Sequence, residues 1–206
     1  MKSFLRRPAA AALLSLVAAV AFYVIAGRAD IFALAKAASW LNFAANLGIV
    51  ALPVGLLMIA GEIDISFGAM IPAGAITTAM LSGHYGLPIE VGILGALGLG
   101  VVVGLVNGLL TTRTRVPSLL ITLGTLTILQ GVVLWVAMRV VGTASIPLKA
   151  PEWAKFIFGH LMWNSHQVII IWWFALALLF GFLHHTPSYG YWIVGVGGDT
   201  VSARNA

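Results

Sequence analysis

The sequence predicts an all-α integral membrane protein of about six transmembrane helices with a cytoplasmic N-terminus, and three observations carry that prediction. Of the 206 residues, 61% are hydrophobic and 8% charged, against about 25% charged in soluble domains. Uncharged runs recur at lengths near the roughly 20 residues a helix needs to cross a 30 Å hydrocarbon core. These runs are continuous, whereas a membrane barrel shows alternating segments of about ten residues. Since lipid offers backbone groups no partner, continuous runs mean helices.

The first run, Pro8–Gly27, follows Lys2, Arg6 and Arg7. It exceeds the apolar core of about 7–15 residues in a cleavable signal peptide, so it is expected to remain as a span. The second, Ala37–Gly61, contains Pro53, which lacks a backbone donor and is expected to kink it. The third and fourth are Ile65–Ile89 and Val91–Thr112. In the fourth, Gly92, Ala96, Gly100, Gly104 and Gly108 recur every four residues, a bare face expected to admit a close neighbour. Val116–Met138 is the fifth, and an apolar core at about Val168–Leu183 the sixth.

Orientation follows from Lys and Arg in the short loops. Lys2, Arg6 and Arg7, the Thr111–Arg115 loop, and the tail that carries Arg204 after His184-His185 fall inside. Arg28, Lys36, Arg139, Lys149 and Lys155 fall outside and nearly balance them. The Gly61–Gly68 turn then lies near the inner side, and Arg139–Gln167, rich in Trp and Pro, forms an outer interfacial cap in contact with membrane lipid.

The formal charge of +5 and a pI near 10.0 come from singly scattered basic residues, which fit orientation signals and not nucleic-acid binding. Absence of cysteine excludes disulfides, thiolate catalysis and Cys-based metal sites. His84, His160, His166, His184 and His185 show no spacing that sets two ligands on one helix face, so no metal site is expected. No Gly-x-Ser-x-Gly marks a serine hydrolase. Gly195-Val196-Gly197-Gly198 lacks the Lys-Ser/Thr of a phosphate loop, so no catalytic residue and no cofactor are expected on this chain.

The turn Gly61-Glu62-Ile63-Asp64-Ile65-Ser66-Phe67-Gly68 sets two carboxylates inside membrane-grade sequence. A charge near a bilayer centre costs about 2.5–3.5 kcal/mol, so it needs an interface, a polar cavity or a partner. Glu62 and Asp64 suggest either a proton relay or acid–base pair, or a structural turn in which Asp64 or Ser66 caps the third span. The cap is favoured, and Glu62 is left without an account. Within the spans stand Asn42, Asn46, Thr77, Thr78, Asn107, Thr122, Thr125, Thr127 and Gln130. Neutral amides and hydroxyls suit a hydroxyl-rich solute along a path, with Asn46, Asn107, Thr122 and Thr125 as candidate contacts; the simpler reading is hydrogen bonding between helices.

Three blocks together resemble the permease subunits of bacterial ABC importers for ribose and related simple sugars. They are Ala45-Asn46-Leu47-Gly48-Ile49 leading to Gly61–Gly68; Gly104–Leu110 with Pro117–Thr125 and Gln130-Gly131; and His184–Gly190 through Gly197-Gly198-Asp199 to Ser202-Ala203-Arg204. Their order and separation span nearly the whole chain. Glu62 stands where the family usually has Gly, Tyr191 where it has Arg, Asp199 where it has Asn, and Ser202 where it has Ala. The resemblance implies one permease domain over residues 1–206, matching the first part of a roughly ten-span permease, with residues 184–206 as a cytoplasmic coupling loop that is cut short.

It also implies inward transport of a neutral sugar across the bacterial inner membrane by alternating access. ATP would be bound and hydrolysed by a separate cytoplasmic subunit docked through Gly190, Gly197, Gly198, Asp199, Ala203 and Arg204. An external sugar-binding protein and a second permease copy or paralogue complete the implied assembly. The alternatives are a proton-coupled secondary carrier, or an intramembrane enzyme with Glu62 and Asp64 as acid and base.

Overall fold

A computed structural model describes residues 8–26, 32–163 and 165–198. Expectations resting on Lys2, Arg6, Arg7, Arg28, Asp199, Ser202, Ala203 and Arg204 lie outside the described residues. The fold is helical throughout: α1 Pro8–Ile25, α2 Leu34–Ile59, α3 Phe67–Thr78 continued by a π-helical segment Ala79–His84, α4 Ile89–Arg113, α5 Ser118–Val140, α6 Ile169–His185 and α7 Pro187–Gly198. Residues of α2, α4 and α5 are each long and apolar enough to cross a membrane unaided. Among the described residues the strands form one small antiparallel hairpin, in which Leu161 pairs with Gln167 and Met162 with His166.

Local chemistry sets the boundaries. α4 and α5 each start directly after a proline, Pro88 and Pro117. Pro53 lies inside α2 without ending it. That helix stops instead at Gly61, whose φ of +85° is the left-handed conformation glycine adopts at no steric cost. Gly61 N–H donates to the Met58 carbonyl and Glu62 N–H to the Leu57 carbonyl, both at 3.1 Å. This is the paired Schellman arrangement that satisfies the last carbonyls of a helix. α6 ends at Thr186, extended at ψ 125° as expected before a proline, and the axis of 189–198 departs from that of α6 by 73°.

Two groups of helices result. α2 packs on α6, with α7 against both; α3 packs on α4 and α5, which also touch each other. Outside the polar cluster described below, buried positions are mostly alanine: Ala38, Ala45, Ala69, Ala73 and Ala137 are at most 1% exposed, while Leu94, Leu97, Val101 and Leu105 of α4 are at least 60% exposed. Lipid tails are as apolar as leucine, so burying leucine gains little in a membrane. Close backbone approach over small residues gains more.

The small-residue face of α4 is used only in part. A Cβ on Gly92 would meet Ser82 and Thr78, Gly74 lies over Ala96, and Gly100 faces Met70, but a Cβ on Gly104 or Gly108 would meet no neighbouring element within 4 Å. The close neighbour expected on this face is present over Gly92, Ala96 and Gly100 and is not met beyond them. A four-residue repeat advances 400° and drifts about 40° per step on a helix of 3.6 residues per turn. In the inner half of α4 the buried residues are Val103 and Asn107, and Asn107 meets Ser66 at the start of α3.

One end of the molecule gathers the Gly61–Ser66 turn, the start of α5 and the end of α7. Ile63 N–H donates to Ser118 Oγ at 3.1 Å, and Gly197 lies against the Ile59 carbonyl. At the other end the Asn42 side chain donates to the Ser165 carbonyl (3.0 Å) and accepts from Gln167 N–H (2.8 Å), so the hairpin rests on the start of α2. This is the grouping that alternation of the spans requires, with Gly61–Ser66 opposite the Arg139–Gln167 cap.

Gly92→Val should destabilise the chain by about 1–3 kcal/mol through overpacking. Gly104→Ala and Gly108→Ala, in open space, should raise helix stability by about 0.5–1 kcal/mol. Thermal unfolding in detergent, followed by circular dichroism, checks both.

Candidate functional site

The segment between α2 and α3 makes no helix, yet four of its backbone donors are satisfied. Glu62 N–H closes the end of α2. Ile63 N–H reaches Ser118 Oγ, and Ile65 N–H reaches Thr122 Oγ1 at 3.3 Å. Ser66 N–H donates to Asp64 Oδ1 at 2.7 Å. Two hydroxyls on the first turns of α5 therefore replace the backbone partners that a strand or helix would supply.

From Ser66 a line of side-chain bonds runs across three helices. Thr125 Oγ1 donates to Asn107 Oδ1 at 2.6 Å, Asn107 Nδ2 donates to Ser66 Oγ at 3.1 Å, and Ser66 Oγ donates to Asp64 Oδ1 at 2.6 Å. Every donor points toward the carboxylate, so successive dipoles reinforce one another and the last two-fold acceptor is the charged group. Among the described residues the buried polar side chains are Ser66, Asn107 and Thr122, all of this cluster. Buried amides and hydroxyls must be paired, and these are.

The expectation that Asp64 or Ser66 caps the third span through its side chain is corrected: no side-chain cap hydrogen bond forms at the start of α3. Ser66 occupies the cap position but its side chain bonds no helix N–H; the Ser66 carbonyl accepts from Ala69 and Met70 instead. Asp64 folds onto Ser66 as an Asx-type turn that precedes the helix. The Glu62 carboxylate makes no hydrogen bond or ion pair among the described residues, and Glu62 is half-buried.

Of the four neutral path candidates, the fold brings together Asn107, Thr122 and Thr125, all turned toward the Gly61–Ser66 segment. Asn46 stands apart on α2, exposed, with Nδ2 donating to the Asn42 carbonyl at 2.8 Å. Sequence reasoning missed Ser118, whose only signal was a hydroxyl directly after Pro117. It also missed the pairing of Asn42 with the hairpin, which lies 123 residues away in sequence.

On α7 two of the glycines expected to couple to an ATPase sit at backbone-to-backbone contacts. A side chain on Gly190 would overlap the His184 carbonyl, and one on Gly197 the Ile59 carbonyl; Gly198 has open space around it. Trp173 of α6 likewise lies across Gly48 of α2. Glycine at 48 and 197 is thus what lets α6 and α7 approach α2.

The Gly61–Ser66 turn and α7 both fall within residues 36–206, which match the family model described as the permease component of branched-chain amino acid transport systems. The chain belongs to that family. This permease is a multi-pass protein of the inner membrane, and its family is a transport component rather than a catalytic one. It is similar to the galactofuranose transporter permease protein YtfT of Escherichia coli K12, 32% identical over 81% of this chain and 47% of that protein. The xylose/arabinose import permease protein XylH of Sulfolobus acidocaldarius is 33% identical over 79% of this chain and 45% of its own length. The autoinducer 2 import system permease protein LsrD of Escherichia coli O9:H4 is 45% identical over 41% of this chain and 26% of its own. The permease thus spans about half the length of the first two. No solved structure matches it.

Asn107→Leu should cost about 1–3 kcal/mol by leaving buried partners unpaired. Asp64→Asn, which keeps the acceptor oxygen for Ser66, should cost less than Asp64→Leu. Ranking the three by denaturant midpoint in detergent checks the cluster.

Proposed function

We propose that this chain forms part of the permease subunit of an ATP-driven importer for a neutral simple sugar. The observation that carries the proposal is the set of relatives named for galactofuranose and xylose/arabinose transport, each matched over more than three quarters of this chain. The chemistry of the interior supports it. The buried polar groups described are a serine, an asparagine and a threonine, and the nearby Asp64 oxygen is held by two donors from Ser66. A carboxylate so engaged serves the turn between α2 and α3.

In this reading the energy comes from ATP hydrolysis on a separate cytoplasmic subunit, an external binding protein delivers the sugar, and a second permease copy or paralogue lines the other side of the path. α7 and the residues after it present the surface that the ATPase grips. The ATPase must contact that surface differently in its two states, because only differential contacts shift a conformational equilibrium.

In proteoliposomes holding the permease with its ATPase and binding protein, D-xylose or D-ribose should accumulate with ATP inside reach of the ATPase. Uptake should stop with vanadate and persist with a protonophore. Uptake that survives ATP depletion and collapses with the proton gradient would sink the importer in favour of the carrier. Within the same assay Gly197→Leu, which cannot seat α7 on α2, should lower import at least tenfold, a loss of about 1.4 kcal/mol or more, while membrane insertion stays intact. Gly198→Ala should be nearly neutral.

A further inference from the structure

The geometry points to the Gly61–Ser66 turn as the joint through which a displacement of α7 reaches α4 and α5, with Asn107 and Thr125 as its positioning residues. The inference rests on the reading above only in taking α7 as the element that a partner moves. α7 meets the end of α2 through glycine on glycine: Gly197 Cα lies 3.8 Å from where a Cβ on Gly61 would stand, and Gly197 abuts the Ile59 carbonyl. No side chain lies between the two backbones there, so no rotamer change can absorb a shift of α7.

Beyond Gly61 the chain is taut. Within five residues it is tied to α5 twice, through Ser118 and Thr122, and to α4 once, through Ser66 and Asn107. The tie to α4 is in turn braced from α5 by Thr125. Two groups of helices, α2 with α6 and α7, and α3 with α4 and α5, are thus joined at this end of the molecule by backbone contacts on one side of the turn and directed hydrogen bonds on the other; at the opposite end the 147–159 segment touches both, through Gly83 and Trp172. Asp64 supplies the charge that orders those bonds. Each of Thr125, Asn107 and Ser66 is held by a hydrogen bond to the next member, and such a chain resists rotation of any one of them.

The chain has no cysteine, so an E62C/G198C pair is unique in it, and position 198 has room for a side chain. The full chain in detergent, tied across this pair by a flexible bis-maleimide, is compared with the untied chain by amide hydrogen exchange. Tying is expected to slow exchange about fivefold or more at 63–66, in α4 around Asn107 and in the first turns of α5. With Asn107→Leu the slowing should reach the turn and stop short of α4. Thr125→Val, which nearly preserves volume, should weaken the slowing in α4 in the same way and serves if Asn107→Leu does not fold. Thr127→Val, the same change at an exposed position of α5, should leave the pattern intact.

Slowing confined to α2 and α7, slowing in α4 indifferent to Asn107→Leu and Thr125→Val, or a pair that does not cross-link would overturn the joint. The measurement needs neither ATP nor sugar. A chain that transmits the tie but imports no sugar refutes the permease reading alone; one that imports sugar without transmitting it refutes the joint alone.

Discussion

An aspartate in membrane-grade sequence has to be satisfied, and the described architecture of the inner end follows from how that is done. The Asp64 carboxylate takes two hydrogen bonds from Ser66, at 2.7 and 2.6 Å. Ser66 in turn is held by Asn107, and Asn107 by Thr125. Placing donors head to tail toward one charge offsets a desolvation cost of a few kcal/mol and fixes three helices in a single relative register. Without Asp64 the serine hydroxyl would lose its acceptor, and the order of the remaining dipoles would have no anchor.

That polar register works because the surrounding packing is sparse. Alanine and glycine fill the contacts among the helices while the leucines face outward, as expected where lipid competes equally for apolar side chains. A core of this kind has few large side chains to specify which faces meet. Directed bonds at Asn107, and glycine-sized openings at Gly48, Gly92 and Gly197, supply that specification. The outer end uses the same economy, with Asn42 spending both its amide groups on the backbone of one hairpin.

Glu62 marks where this chain differs from the pattern it resembles. Its N–H closes the end of α2 at the position after the left-handed Gly61, a site where a hydrophobic residue often packs back on the helix. A carboxylate cannot make that contact, and it finds no partner among the described residues. The charge therefore sits beside the Gly61–Gly197 contact without stabilising it, at the end of the molecule where the Gly61–Ser66 turn, Ser118 and Gly197 converge.

How much was legible follows from the range of each signal. Composition and run length fixed a helical membrane protein, and the helix limits fell within a few residues of the uncharged runs, because hydrophobic length and prolines act locally. The three sequence blocks likewise pointed to the permease family. The small-residue face of α4 does admit a close neighbour, but how far along it was not legible, since a four-residue spacing outruns the helical turn and only the position of α3 decides which small residues are used. Asn107, Thr122 and Thr125 could be singled out as polar but not assigned. Hydroxyls and amides have the same sequence appearance whether they face a path, a lipid or a turn 41 to 59 residues away. The sequence by itself thus determined which segments are helices and that Asp64 needed partners; only the tertiary structure decided which side chains those partners are, because hydrogen bonds between helices depend on rotation and register that no local pattern encodes.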